Sequence, residues 1–318
     1  MNKNIFYNLV IKNDSNQILL LKDNNLHSEN WNLPKVYFVK NENKLKILNQ
    51  YLDNKILISK NNIAPWINYN EKDKTFILLR IINYNNTNIS SIQSNQFCQW
   101  HNLLCFDINN FSPVVKRSMK CLTIPDVYGI TNIQNIQNTK LFLYKLEQSL
   151  DSGLKLIQFR EPNLLECNNI SSKKNIINNI FSQVYKLCKQ YQSQLLVNSI
   201  HGFELCKLSD GMHMRSVDAY RYKSRPKIMH NKLLGISIHN RQDLNHAILL
   251  EADFVVLGSV LYTETHPNNK FLGWINFSNI IKNTEIPVFA IGGQSKELKD
   301  IAISFGAHGI AGMRNIIT

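Results

Sequence analysis

The carboxyl-terminal part of the chain, about 200 residues, alternates between short apolar runs and longer stretches in which apolar residues recur at helical spacing. Within 173–192, Ile176, Ile180, Val184, Leu187 and Tyr191 follow one another at intervals of three or four residues, which predicts an amphipathic helix. The apolar runs are VYGIT from Val127, LKLIQFR from Leu154, QLLVN from Gln194, GMHM from Gly211, LLGISIH from Leu233, FVVLG from Phe254, PVFAIGG from Pro287 and HGIAGM from His308.

Eight apolar runs separated by helical stretches predict an α/β architecture with a (β/α)8, or TIM, barrel. A doubly wound open sheet has the same local pattern and stays the alternative. The end of the chain favours the barrel, because glycines close its last two runs, and the loops after strands seven and eight hold a phosphate in many barrels. We therefore expect Gly292, Gly293 and Gly312 to let backbone N–H groups approach an anion.

The sixth run ends in an unusually polar loop, in the stretch VLGSVLYTETHPNNKFLGW from Val256 to Trp274. Active sites of such folds lie at the carboxyl ends of the strands. The hydroxyl, acidic and histidine side chains of this loop are therefore candidates for a binding site.

The amino-terminal third has the pattern of a smaller α/β unit. YNLVIK, QILLLK and TFILLRIINY predict strands, and Leu45, Leu48 and Leu52 lie at helical spacing. The join, PVVKRSMKCLTIPDVYGIT from Pro113 to Thr131, contains no long flexible linker. We predict two domains, 1–118 and 119–318.

The formal charge of +13 suggests an anionic partner, but the charge is spread along the chain. Residues 1–118 hold 14 Lys and Arg against 8 Asp and Glu, and the remainder holds 22 against 15, so the two parts carry +6 and +7. The densest basic cluster, Tyr220 to Lys232, is interpreted as a solvated surface rather than a nucleic-acid interface.

Other sequence features indicate the cellular location of the protein. No apolar run approaches the roughly 18 residues of a membrane span, and the amino terminus lacks a signal-peptide pattern, so a cytoplasmic protein without a membrane partner is predicted. The cysteines include no CxxC pair and are interpreted as buried thiols. These are Cys98, Cys105, Cys121, Cys167, Cys188 and Cys206.

Several short motifs occur together in a specific order: QFRE, DGMHM, GISIH, GSVLYTETHP, AIGG and GAHGIAGM. In this order and spacing, from Pro125 to Arg314, they resemble the superfamily of thiamine phosphate synthase and the thiazole tautomerase TenI. The loop variant TETHP…LGW most resembles the barrel that is fused behind a MutT-type Nudix domain. The resemblance implies a phosphorylated small-molecule partner, either a thiazole phosphate or a pyrimidine diphosphate.

The resemblance also assigns roles to individual residues. Gln158 and Arg160 match contacts to the pyrimidine and the pyrophosphate, and Thr263 and Thr265 match hydroxyls of the phosphate loop. Asn198, Ser237 and His239 match positions that line the pocket. Asp218 matches one of two aspartates that hold Mg²⁺, the only cofactor that the resemblance suggests.

Three departures weaken the match to a synthase. Ser199 replaces the second Mg²⁺-binding aspartate, Pro162 replaces a lysine, and His266 replaces the lysine of the strand-six loop. The tautomerase branch performs proton transfer without pyrophosphate chemistry, and there His239 matches its general acid or base. The alternative for His239 is a structural role at the end of its strand.

The segment NWNLPKVYFVKNENKLKILNQYLDNKILI resembles the Nudix box and its lead-in, aligned from Trp31 and Pro34 to Ile58. Nudix hydrolysis needs helix carboxylates to hold Mg²⁺, and most of them are replaced here. The motif positions are Lys35 and Val36 for the paired glycines, Gln50 for arginine, and Tyr51, Asn54 and Lys55 for glutamates, with Glu42 retained and Asp53 at a position without a ligand role. We expect a Nudix domain without hydrolytic activity, with an unrelated small domain as the alternative.

Three functions remain to be separated. The first is a thiamine-metabolism barrel, acting as a thiazole tautomerase or a weakened synthase. The second is a protein that binds a phosphorylated ligand without chemistry, and the third is a MutT-type hydrolase of 8-oxo-dGTP, against which the lost glutamates argue. The sequence leaves the oligomeric state open.

Overall fold

The computed structural model describes residues 4–13, 15, 17–23, 30–38, 43–52, 63–71, 74–82, 96–103, 111–165, 170–263 and 270–318. Contacts divide the chain into two compact units, one made mostly of residues 1–124 and the other mostly of 125–318. The helix Pro113–Leu122 continues past residue 118, and the domain limits 1–118 and 119–318 stay a prediction. Within the described residues, no helix combines the length and apolar character needed to cross a membrane.

Among its described residues, the first unit contains two β-sheets and two α-helices. A four-stranded sheet has the order β3-β1-β5-β4, with β1 and β5 parallel and the other pairs antiparallel, and β2 pairs with β6 in an antiparallel two-stranded sheet. The strands are β1 (Asn4–Ile11), β2 (Gln17–Asp23), β3 (Lys35–Val36), β4 (Ile63–Glu71), β5 (Lys74–Ile81) and β6 (Gln96–Asn102).

Strand alternation explains why this unit has a core on each side of β1. Leu9 and Ile11 belong to one buried cluster, whereas Val10 between them belongs to another. Successive side chains of a strand point to opposite faces, so a continuous apolar run buries both. The predicted helix is α1 (Lys44–Tyr51), in which Leu48 is buried, and Leu52 at its carboxyl-terminal cap is also buried.

Besides the two-residue strand β3, two strands of the first unit are absent from the sequence prediction. The apolar pattern of β4 is interrupted by Pro65, where its pairing with β5 shifts register between Pro65 and Ile67. Proline cannot donate to a sheet and is tolerated at such irregularities. The other, β6, mixes polar and apolar residues and depends on pairing with β2.

The second unit is a closed barrel of eight parallel strands, which confirms the (β/α)8 prediction and excludes the open sheet. Each strand pairs with the next along the chain, and β14 closes the barrel against β7. The strands are β7 (Val127–Ile130), β8 (Leu156–Phe159), β9 (Gln194–Asn198), β10 (Gly211–Met214), β11 (Leu233–Ile238), β12 (Phe254–Gly258), β13 (Val288–Ile291) and β14 (Gly309–Gly312).

Helices separate most of these strands. They are α3 (Thr139–Asp151), α4 (Ile170–Gln190), α5 (Phe203–Leu208), α6 (Ser216–Ala219), α7 (Arg241–Leu249), α8 (Gly273–Ile281) and α9 (Lys299–Ser304), whereas α2 (Pro113–Leu122) precedes the first barrel strand. In α4 the buried stripe differs slightly from the prediction, because Ile177, Phe181 and Cys188 are buried with Ile180 and Val184. The predicted Ile176 and Leu187 are only half-buried, since they lie at the margins of that stripe.

Aromatic rings fill the barrel interior below the carboxyl ends of the strands. The rings of Tyr128 and Phe254 lie 5.4 Å apart, and those of Phe254 and Phe289 lie 5.3 Å apart. A Cβ on Gly235 would stand 2.6 Å from the Phe254 ring, so this strand has no side chain where the ring packs. The interior is therefore a packed core, and an open site is confined to one end.

The described cysteines agree with the prediction of buried thiols. Cys98, Cys121, Cys188 and Cys206 are buried thiols. Cys105 and Cys167 lie outside the described residues.

Candidate active site

A cavity of about 980 Å³ opens at the carboxyl ends of the barrel strands. Its wall includes residues from every strand of the barrel or from the loop that follows it. The predicted site residues that line it are Gln158, Arg160, Asn198, Ser237, His239, Thr263, Gly292, Gly293 and Gly312. The predicted Thr265 lies outside the described residues, as do Glu264 and His266, and Asp218 lies behind the wall, paired with Arg215, which does line the cavity.

The lining is strongly cationic. Arg160, Arg215, Lys270 and Arg314 all contribute to it, and none of its described residues is acidic. Because guanidinium and ammonium groups converge there without a carboxylate on the described wall, the cavity is suited to an anion.

Below the cavity, a chain of hydrogen bonds runs through the barrel interior from one strand to the next. Asn198 Nδ2 donates to Gln158 Oε1 at 2.7 Å, and Gln158 Nε2 donates to the hydroxyl of Tyr128 at 3.1 Å. The orientation of the first amide is set by the backbone N–H of Ile200, which donates to Asn198 Oδ1 at 3.1 Å. Each amide therefore has only one orientation that satisfies its neighbours.

The same chain continues through a buried histidine to the cavity. The Tyr128 hydroxyl lies 3.3 Å from His213 Nδ1, and His213 Nε2 lies 2.8 Å from Ser237 Oγ. Burial lowers the pKa of His213 to about 3 and raises the pKa of Tyr128, so both are neutral near pH 7. Since the phenol already accepts from Gln158, it donates to Nδ1, and the imidazole proton on Nε2 is donated to Ser237.

The direction of these hydrogen bonds determines how Ser237 can interact with a ligand. Its oxygen accepts from His213, so its own proton is available to an acceptor in the cavity that Ser237 lines. Hydrogen bonds among residues from four strands therefore orient the hydroxyl of Ser237 as a donor. We assigned the tautomer of His213 from these contacts.

A second buried group holds the loop after β8. The carboxyl of Glu161 accepts from the backbone N–H of Ile133 at 2.8 Å, and the Glu161 N–H donates to His201 Nε2 at 3.0 Å. Burial raises the pKa of Glu161 to about 7, and lowers the pKa of His201 to about 4. Burial also lowers the pKa of the neighbouring Arg160, with a smaller contribution of the same sign from Arg215.

The carboxylate of Asp218 accepts hydrogen bonds from the guanidinium of Arg215. Arg215 Nε donates to Oδ2 at 2.7 Å and Nη2 donates to Oδ1 at 3.1 Å, while Ser199 Oγ donates to Oδ2 at 2.7 Å. Arg221 lies 3.5 Å from Oδ1. The hydrogen bond from Arg215 is the main reason that the pKa of Asp218 is lowered.

These residues do not fit the Mg²⁺ ion that the resemblance suggests. Mg²⁺ takes oxygen ligands and demands near-octahedral geometry, whereas both oxygens of Asp218 accept from donors and two guanidinium groups lie beside them. In the described parts of the chain, no group of three or more His, Cys, Asp or Glu side chains is arranged to hold a metal ion.

Glycine is required where the loop after β13 approaches the loop after β12. Gly292 has φ +95°, and a Cβ there would stand 2.0 Å from Ser259 Oγ. Gly293 has φ +63°, with a Cβ position 2.5 Å from the Tyr262 carbonyl oxygen. Only glycine combines these φ values with so close an approach, which brings both backbones to the cavity wall.

His239 lies at the rim of the cavity, at the end of β11. Its side chain is exposed, its backbone N–H donates to Asp243 at 2.8 Å, and Nδ1 lies 3.4 Å from the Gly258 carbonyl oxygen. With Nδ1 placed to donate to that carbonyl, Nε2 is the ring nitrogen available to a ligand.

Sequence reasoning missed several residues of the site. Tyr128 and His213 each stand inside a short apolar strand, where a polar side chain in the barrel interior signals a hydrogen-bonding role. Arg215 follows the DGMHM motif at the carboxyl end of a strand, the position at which a charged residue indicates function. Lys270 and Arg314 have no comparable signal.

Comparison with known proteins finds relatives of the barrel sequence. A thiamine-phosphate synthase of Prochlorococcus marinus (strain AS9601) is 33% identical over 187 residues, which cover 59% of this chain and 49% of the relative. A thiamine-phosphate synthase of Fusobacterium nucleatum is 27% identical over 192 residues, covering 60% of this chain and 89% of the relative. The match thus spans about half of the Prochlorococcus relative.

Solved structures that resemble the chain cover different shares of it. A thiamine phosphate pyrophosphorylase from Pyrococcus furiosus matches 60% of this chain and 89% of its own, with 20% identity and a TM-score of 0.45. A MutT structure, from work on Aliivibrio salmonicida and Vibrio cholerae, matches 36% of this chain and 94% of its own, with 16% identity and a TM-score of 0.29. The family model described as thiamine monophosphate synthase matches residues 127–316. The chain therefore belongs to the thiamine monophosphate synthase (TMP-TENI) family.

Proposed function

We propose that the barrel binds a phosphorylated thiazole or pyrimidine at the carboxyl ends of its strands. The observation that carries this proposal is the cavity wall, which includes Arg160, Arg215, Lys270 and Arg314 and, among its described residues, no carboxylate. The family binds phosphorylated pyrimidine and thiazole substrates. Phosphate oxygens are natural partners of these cations.

In this proposal different residues of the cavity contact different parts of the ligand. Gln158 and Asn198, joined by a hydrogen bond on neighbouring strands, contact the aromatic ring of the ligand. Arg160 contacts its anionic end, and Ser237 donates to it. This division is supported by the fact that the side chains of Gln158, Asn198 and Arg160 all line the cavity.

The glycine loops form the second anion contact. Gly292, Gly293 and Gly312 hold the backbone close to the cavity, where N–H groups can donate to a phosphate. We assign hydroxyl donors to Thr263, which lines the cavity, and to Thr265, which lies outside the described residues.

For chemistry, we propose a proton transfer of the thiazole tautomerase type. His239 takes a proton from one position of the thiazole carboxylate phosphate through Nε2 and returns it at another, so the imidazole acts first as base and then as acid. Its support is the place of His239 at the cavity rim and the contact of Nδ1 with Gly258. This reaction needs no pyrophosphate departure and no metal ion.

For residues 1–118 we propose a Nudix-like domain without hydrolytic activity. At the aligned positions Gln50 and Tyr51 replace an arginine and a glutamate, and the Tyr51 hydroxyl accepts from the Lys35 N–H at 3.2 Å. Burial raises the pKa of Tyr51, so this group stays neutral and cannot act as an anionic Mg²⁺ ligand. Glu42, Asp53, Asn54 and Lys55 lie outside the described residues.

The remaining predictions concern the whole chain. We retain the division into 1–118 and 119–318, with the barrel in the second part, and a cytoplasmic location. A nucleic-acid partner is not part of the proposal, because the cationic groups that we use line a cavity rather than an extended surface.

Calorimetric titration of the full chain tests the proposal. The ligands are thiazole phosphate, thiazole carboxylate phosphate and 8-oxo-dGTP, each with Mg²⁺ and with EDTA. We expect both thiazole phosphates to bind, and Arg160→Gln to weaken that binding by about 10- to 100-fold, the range for a lost charge-assisted contact. Arg241→Gln, an exposed arginine outside the described cavity wall, is the matched control.

The same titration separates the alternatives. Binding of 8-oxo-dGTP alone would overturn the barrel proposal and favour a MutT-type hydrolase. Binding of a thiazole phosphate with no turnover of the carboxylate form would favour a ligand-binding protein without chemistry, and would overturn the tautomerase proposal only.

A further inference from the structure

The Arg215–Asp218 pair occupies the place where the resemblance suggests a metal ion. Two nitrogens of the guanidinium contact two oxygens of the carboxylate, at 2.7 and 3.1 Å, which is the fork geometry of a strong ion pair. The Asp218 side chain is only 10% exposed, so these contacts are largely shielded from water.

Ser199 completes this arrangement from the turn that follows β9. Its hydroxyl oxygen accepts from the Arg215 backbone N–H at 3.1 Å, and its proton is donated to Asp218 Oδ2 at 2.7 Å. Ser199 is thus hydrogen-bonded to both Arg215 and Asp218. An aspartate at this position would instead place a second carboxylate beside that of Asp218. The replacement noted in the sequence is therefore matched by a change in what Asp218 does.

Arg215 is anchored but not buried. Its side chain is 48% exposed, and it lines the cavity together with Arg160. Because both arginine side chains line one cavity, both guanidinium groups can donate to the oxygens of the same anionic ligand.

We propose that the diphosphate end of a ligand binds between Arg160 and Arg215 without a divalent cation, and that Asp218 is a positioning residue that holds Arg215. This inference rests on the proposed function, because it specifies how that cavity binds its phosphorylated ligand. In this arrangement a fixed guanidinium supplies the positive charge that a metal ion would otherwise supply.

The test uses inorganic pyrophosphate as the probe in calorimetric titration of the full chain. We expect binding in EDTA that Mg²⁺ does not strengthen. Arg215→Gln should weaken this binding by about 10- to 100-fold, while the affinity for thiazole phosphate changes by less than about twofold, since the contacts assigned to that ligand involve Arg160, Ser237 and the glycine loops but not Arg215. Arg221→Gln is the matched control, because it also lies near Asp218 but is not on the described cavity wall.

Two further variants separate positioning from folding. Asp218→Asn should weaken pyrophosphate binding with unchanged affinity for thiazole phosphate, a selective effect that a misfolded barrel would not give. The double variant Ser199→Asp and Arg215→Ser places a second carboxylate beside Asp218 and removes the Arg215 guanidinium. Pyrophosphate binding should then depend on Mg²⁺.

The outcomes distinguish this inference from the proposed function. Pyrophosphate binding that requires Mg²⁺ in the unmodified protein would overturn the arginine clamp. So would absence of pyrophosphate binding when thiazole phosphate binds, a result that would leave the proposed function standing. If neither ligand binds, both proposals fail.

Discussion

The hydroxyl of Tyr128 lies 3.3 Å from Nδ1 of His213 in the closed interior of the barrel. The two residues come from β7 and β10, which are not neighbours in the barrel order. Since His213 Nε2 in turn contacts Ser237 at 2.8 Å, this contact lets a residue on one side of the barrel determine which group on the other side donates into the cavity.

Removal of the Tyr128 hydroxyl tests this relay. Tyr128→Phe leaves Gln158 Nε2 and His213 Nδ1 without that partner in a buried site, so we expect the free energy of unfolding to fall by about 1–3 kcal/mol. Thiazole phosphate should also bind less tightly, because Ser237 is no longer held as a donor. Urea denaturation and calorimetry measure the two effects. Tyr144→Phe, at a tyrosine that is 62% exposed, is the control and should change neither.

Glu161 should make stability depend on pH. Its pKa is raised to about 7 in the folded protein, so the protonated carboxyl stabilises the fold below the unfolded-state pKa, and this contribution is lost as pH rises through about 7. Glutamine mimics the protonated form at every pH. We expect the stability of Glu161→Gln relative to the unmodified protein to rise by roughly 2 kcal/mol between pH 5 and pH 8.

Denaturation at both pH values tests that prediction. His201 and His213 also titrate on unfolding, but they are present in both proteins, so their contribution cancels in the difference. Glu204→Gln, which removes an exposed carboxylate paired with Lys207, should give nearly the same relative stability at both pH values. An equally flat result for Glu161→Gln would contradict the role assigned to burial.

The glycine loop allows a matched comparison of backbone strain and crowding. Gly153 and Gly292 both have φ +95°, but a Cβ at Gly153 meets no atom within 4 Å, whereas one at Gly292 would stand 2.0 Å from Ser259 Oγ. Gly153→Ala should therefore cost about 1 kcal/mol from the backbone alone. Gly292→Ala should cost more and should weaken thiazole phosphate binding.

A double variant identifies the crowding atom. Adding Ser259→Ala to Gly292→Ala removes the nearest oxygen, and should restore part of the lost stability in thermal denaturation. Equal stability losses for Gly153→Ala and Gly292→Ala would show that the close approach of the two loops is unimportant.

His239 is expected to act in turnover rather than in binding. His239→Gln keeps a polar side chain but cannot accept and return a proton at neutral pH, so tautomerisation of thiazole carboxylate phosphate should fall by about 100-fold or more. The affinity for thiazole phosphate should change by less than about threefold. His246→Gln, on α7 outside the described cavity wall, is the control, and loss of binding in His239→Gln would instead indicate a structural role.

Local patterns were sufficient for the eight barrel strands. Runs such as FVVLG and QLLVN are mainly apolar because a strand of a barrel is buried on both faces, and the helices between them bury a stripe at helical spacing. The glycines after β13 were also predictable, since paired glycines at that place in the fold indicate a close backbone approach. In the first unit, by contrast, β4 and β6 lack such a pattern and form because a partner strand pairs with them.

The sequence by itself therefore determined the alternation of strands and helices, the family to which residues 127–316 belong, and nine of the residues that line the cavity. The tertiary structure decided the closure of the barrel between β14 and β7 and the relay from Tyr128 to Ser237. It also decided the engagement of Asp218 by Arg215 and Ser199. The physical reason is range: hydrophobic periodicity depends on neighbours along the chain, whereas a buried polar group is defined by partners that only the folded barrel brings within hydrogen-bonding distance.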